Sequence, residues 1–142
     1  MYYVLNDIQL TKNFRLSEFV CHDGSDEVML NGKLIELLQL LREELQQPIT
    51  VAAGYRNKSH NLVVGGSPNS RHLIGDAADI KVRLISPRAV ALVAQRLGFN
   101  GIGVYTNNGD YFTHLDVRTL PSYWHDNRNT KTLTAVKTIK EI

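Results

Sequence analysis

Residues 70–80, SRHLIGDAADI, set His72 and Asp79 seven positions apart, with Gly75 between them and Ala77 and Ala78 just ahead of the acid. An imidazole nitrogen and a carboxylate oxygen are ordinary ligands for a catalytic zinc, which takes three protein ligands and keeps a fourth position for water. Ligand atoms sit ~2.0–2.2 Å from the ion, so they must lie within a few ångströms of one another. A helix fails as the clamp, because positions i and i+7 lie ~10 Å apart along its axis at about 1.5 Å per residue. A loop that doubles back into a strand succeeds, with Gly75 permitting the tight path. Small Ala77 and Ala78 let that strand pack close to its neighbours. Taken singly, His72 reads as a loop histidine and Asp79 as a turn residue; together they call for a third ligand.

That ligand has to come from elsewhere in the chain. In YFTHLDVR, residues 111–118, strand alternation sets Phe112, His114, Asp116 and Arg118 on one face, and Tyr111, Thr113, Leu115 and Val117 on the other. His114 and Asp116 are then ~6.6 Å apart. One of the two can bind the metal while the other touches its water or holds the site from behind.

The elements that must position these groups read clearly in most places. The 142 residues suit one domain, and 43% hydrophobic with 21% charged residues is an ordinary globular composition. NGKLIELLQLLREELQQP reads as a helix with Leu34, Leu38, Leu41 and Leu45 at helical spacing and Pro48 beyond its end. ITVAA, residues 49–53, reads as a buried strand, residues 55–72 as a polar loop, and residues 77–82 as a second strand. SPRAVALVAQRLG has a capping Ser86, Pro87 at the first helical position and a closing Gly98. GIGVY, a turn at NNGD and YFTHLDV make a β-hairpin. KTLTAVKTIKEI fits a strand or a short helix equally well. These elements give an α+β fold with a small antiparallel sheet flanked by helices.

Charge and cysteine content narrow the partners. A net charge of +2 gives no case for nucleic acid, and mild basicity suits an anionic polymer. Cys21 is the only cysteine, so no disulfide forms within the chain. Cys21-His22 lacks the further partners of a second metal clamp. No apolar run reaches the ~18 residues of a membrane span. MYYVLNDIQLTKNF lacks the basic start and apolar core of a secretory leader. The expectation from these features is synthesis in the cytoplasm.

Ser70-x-His72-x-x-Gly75-x-Ala77-x-Asp79 followed by an F-x-H-x-D strand resembles the zinc muramoyl-peptidase family. That family includes D-Ala-D-Ala carboxypeptidases and phage L-alanyl-D-glutamate endolysins, with a fold shared by the hedgehog signalling domain. NFRLSEFVCHDG is similar to the family's entry segment, AAGYRN to its arginine-bearing turn, and GIGVY, YFTHLDVR and YW to its closing hairpin. The resemblance implies one zinc ion held by His72, Asp79 and His114, and substrate recognition by Arg56. It implies a peptidase acting on peptidoglycan stem peptides, released to the cell wall by lysis machinery if the chain is phage-encoded. Residues 1–142 are expected to form one domain and a monomer. Arg56 suits that role because a planar guanidinium grips a carboxylate with two parallel charge-assisted bonds.

One departure bears on catalysis. Relatives carry an acid three residues before the last zinc histidine, or a histidine two before it; here Tyr111 and Phe112 stand there. A proton acceptor is still needed for water to attack an amide, and Asp116 is the first expectation, with Asp110 the second. The missing acid leaves a non-catalytic, zinc-containing module that binds wall peptides as the alternative, and a zinc hydrolase of another amide as a further one.

Overall fold

The computed structural model describes residues 7–142. The first six residues of the stretch read as lacking a leader lie outside the described residues.

The leucine-rich segment forms α1, Gly32–Leu45, begun by the Asn31 side chain accepting from the Lys33 amide and ended at a left-handed Gln46. Leu34, Ile35, Leu38 and Leu41 turn inward. β1, Ile49–Ala53, follows at once. The segment expected as one polar loop contains a helical turn and a half. α2, Lys58–Val63, is started by the Asn57 side chain, which accepts from the His60 amide at 2.8 Å. Its Leu62 and Val63 are exposed, so it carries no apolar periodicity to betray it. A 3₁₀ turn, Arg71–Ile74, then leads into β2, Ala77–Val82.

α3, Pro87–Leu97, has the ends its sequence announces: Ser86 accepts from the Ala89 amide, Pro87 opens the helix and Gly98 closes it at φ 107°. β3, Gly101–Tyr105, and β4, Phe112–Asp116, form the expected antiparallel hairpin. β5, Ser122–Asp126, was not legible as a strand. It lies parallel to β3, a pairing set by distant residues rather than by local pattern. The undecided C-terminal stretch takes both forms, with β6, Leu133–Val136, followed by a 3₁₀ turn, Ile139–Glu141.

The strands form one sheet in the order β1-β2-β4-β3-β5-β6, antiparallel except for the β3–β5 pair. Its two faces differ. Ala78, Ile80, Ile102, Val104 and Leu115 point into a core shared with α1, α3 and Ile139. Thr113 on the same face donates to the Pro87 carbonyl of α3 at 3.0 Å. Alternation therefore puts Asp79, Gly101, Gly103, His114 and Asp116 on the opposite face, away from α1 and α3. Among the described residues no helix is long and apolar enough to cross a membrane.

Candidate active site

Strand register does most of the assembly. Asp79 of β2 lies directly opposite His114 of β4, and Gly103 of β3 flanks His114 on its other side. His72 arrives from the 3₁₀ turn, where Ser70 accepts from its amide and Gly75 turns the chain back at φ 73°. A side chain at Gly75 would also run into the backbone of Met29. The tight doubling-back read from the sequence is thus required twice over, by conformation and by space.

One carboxylate atom stands between the two imidazoles. His72 Nε2 is 3.2 Å and His114 Nδ1 3.0 Å from Asp79 Oδ1. The three side chains offer ligand atoms that all lie within 4.8 Å of one another, and no other such group of three occurs among the described residues. The far side of each ring is also held. His72 Nδ1 donates to the Gly54 carbonyl at 2.6 Å, and His114 Nε2 lies 2.8 Å from Asp116 Oδ2. Partners of this kind fix the tautomer of a metal-ligating histidine and raise its basicity.

The donor set fits a divalent cation. With both outer nitrogens protonated, two imidazole lone pairs and a carboxylate point at one place, which is repulsive unless a positive charge sits there. In a cation's absence a proton supplies that charge. Burial works against ionising His114, yet hydrogen bonds to Asp116 and Asp79 raise its pKa to about 9. Burial likewise opposes the Asp79 anion, but hydrogen bonds from His114 and His72 hold its carboxyl below the ordinary range. Two nitrogens and a carboxylate oxygen, with no thiolate nearby, match the ligands zinc takes in open catalytic sites.

Asp116 does not line the cleft. Its side chain is fully buried, with Arg118 Nε 2.8 Å from Oδ1 and Arg118 Nη2 2.7 Å from Oδ2. Burial raises this carboxyl too, but Arg118 and then His114 outweigh it and keep it ionised well below the usual range. Room for the carboxylate comes from Gly101, where any side chain would occupy the same space. Asp110, the second expectation, is exposed and lines the cleft. Its turn is anchored by buried Asp126, which accepts from the Thr106 and Asn107 amides at 3.1 and 2.7 Å.

Arg56 comes to the same place from the loop after β1. Its Nη2 is 3.3 Å from Asp79 Oδ2 and its Nη1 3.2 Å from Asn61 Oδ1. It lines an open cleft of about 620 Å³ together with His72, Asp79 and His114. Sequence reasoning missed the opposite wall. Trp124 of β5 packs with its ring centroid 5.2 Å from that of His114, and its indole N–H donates to Tyr105 Oη at 2.8 Å. Tyr105 stacks on Phe112 at 4.4 Å, and the Arg118 guanidinium lies 5.2 Å over the indole. The signal lay in GIGVY: two glycines at strand spacing mark a face over which neighbouring side chains must lie, and a side chain at Gly103 would collide with the Trp124 ring.

A family model described as Peptidase M15 matches residues 11–116. The zinc D-Ala-D-Ala carboxypeptidase of Streptomyces albus G is 41% identical over 66 residues, which make up 46% of this chain and 26% of that protein. The chain therefore matches about a quarter of the length of that curated relative.

Proposed function

The chain belongs to the M15 peptidase family, and on that premise we propose that it is a zinc peptidase hydrolysing peptide bonds in bacterial peptidoglycan stem peptides. The observation that carries the reading is the meeting of His72, Asp79 and His114 within 4.8 Å, on the wall of a cleft that also presents Arg56. The similarity to a zinc D-Ala-D-Ala carboxypeptidase supports both the metal and the substrate class.

His72 Nε2, an oxygen of Asp79 and His114 Nδ1 hold one zinc ion. The chemistry zinc supplies in such a site is Lewis acidity, which makes water a nucleophile near neutral pH and polarises a carbonyl oxygen. Gly54 and Asp116 keep the two imidazoles turned so that the binding nitrogens face inward. Arg56, held by Asp79 and Asn61, keeps further N–H groups for a substrate carboxylate. Tyr105, Phe112 and Trp124 form the apolar side against which the peptide backbone lies. Asp116 is a positioning residue, because its oxygens are spent on Arg118 and His114. The proton acceptor is Asp110, the carboxylate of the pair that lines the cleft.

Mass spectrometry of purified muropeptides incubated with zinc-loaded protein, beside a chelated control, tests the reading. Loss of a terminal D-Ala identifies a carboxypeptidase; a cut between L-Ala and D-Glu or within a cross-link identifies an endopeptidase. Asp110→Asn should lower turnover by about 10²-fold or more, the span of a lost general base, with zinc content unchanged. The enclosure of Asp116 favours one second reading, a module that holds wall peptides without cutting them. Unchanged muropeptides with zinc bound would establish that module in place of the peptidase.

A further inference from the structure

The cleft has a branch. A smaller pocket of about 330 Å³ lies beside it, lined by Arg71, Arg118, Thr119, Leu120, Pro121 and Ser122. Arg71 and Arg118 line both spaces, so the two adjoin at these side chains. We propose that this branch is a subsite for a second carboxylate of the substrate, gripped between Arg71 and Arg118. The ligand's class rests on the peptidase reading above.

The lining is unbalanced in charge. No acidic residue lines the branch, while two arginines and the hydroxyls of Thr119 and Ser122 do. Arg118 is answered by Asp116, but through Nε and Nη2, which leaves Nη1 outside that pair. The pair and the Trp124 ring beneath the guanidinium fix its plane before any ligand arrives, so little side-chain freedom is lost on binding. Arg71 makes no ion pair among the described residues. A carboxylate entering here meets one preset guanidinium and one unanswered cation, the arrangement in which charge-assisted hydrogen bonds are strongest.

Position gives the subsite a function. Arg71 immediately precedes His72, and Arg118 follows Asp116 by two residues. Arg118 is fixed by Asp116 and Arg71 is carried on the backbone next to His72, so both cations stand beside the site independently of Arg56, which pairs with Asp79. An acid bound in the branch fixes how far along the peptide the cleaved bond lies. The branch thus discriminates between stem peptides whose carboxylates are free and those in which one is amidated.

Isothermal titration of zinc-loaded protein with a stem peptide, and with versions amidated at each carboxylate in turn, reads this directly. The free acid should bind roughly 10-fold or more tightly than one particular amide, the range of a charged hydrogen bond. Arg71→Gln should remove that preference and raise KM for the free acid while leaving kcat within about twofold. Leu120→Glu, at a position 76% exposed and so harmless to folding, should remove it as well by placing an anion in the branch. Equal binding of all forms by the wild type, or a preference that survives both substitutions, would overturn the subsite. A preference abolished by Arg71→Gln in a protein that cuts no muropeptide would support the subsite and overturn the peptidase reading instead.

Discussion

At the scale of single residues, the centre turns on what stands behind His114. The carboxylate of Asp116 touches His114 Nε2, the ring nitrogen opposite the one that faces Asp79, and Arg118 holds both of its oxygens. Replacing it with asparagine leaves the shape but removes the charge that makes the imidazole a strong donor. Asp116→Asn should weaken zinc binding by roughly 10–100-fold, the usual cost of losing such a partner, as measured by competition with a chromogenic chelator. It should also lower folding stability by about 3 kcal/mol, because Arg118 is left without its buried partner. Zinc affinity equal to wild type would exclude the orienting role. The sequence placed Asp116 on the same strand face as His114, which is where it lies. It did not reveal that the carboxylate points along the sheet into the hollow over Gly101, since that depends on register with β3.

At the scale of elements, β3 serves the site by what it lacks. Gly101 and Gly103 stand beside Asp116 and His114 in the register and leave room for a carboxylate and an indole. Gly101→Ala should therefore cost about 1–3 kcal/mol through overpacking and carry a loss of zinc affinity with it. Gly98→Ala is the matched comparison. That glycine has open space around it but sits at φ 107°, so its cost should be backbone strain of about 1–2 kcal/mol, with zinc binding intact. Thermal melts and the same chelator assay separate the two; equal zinc affinities in both variants would refute the role given to β3. Legibility followed the same division. α1 and α3 carry apolar periodicity, caps and stop signals within their own residues, so their ends could be read. α2 has neither an apolar stripe nor length, and its start depends on Asn57. β5 exists because β3 offers it an edge, so nothing local to Trp124 announces its place beside His114.

At the scale of the whole molecule, the two faces of the sheet separate stability from chemistry. α1, α3, the core and the C-terminal 3₁₀ turn cover one face, and His72, Asp79, His114, the arginines and the aromatic wall occupy the other. The stretch matched by the family model ends at Asp116, yet Arg118, Trp124 and the core residue Ile139 lie beyond it. The last 26 residues therefore contribute to both faces: β5 walls the cleft, while Ile139 fills a fully buried position in the core on the opposite side. Ile139→Ala should remove about 2–5 kcal/mol of folding stability, the cost of emptying such a site. It should leave zinc affinity and muropeptide turnover unchanged at temperatures where the protein stays folded. Denaturant unfolding beside the chelator assay reads both quantities on one sample. If the substitution lowers zinc affinity as well, the sheet transmits strain from one face to the other, and the separation of the faces is refuted.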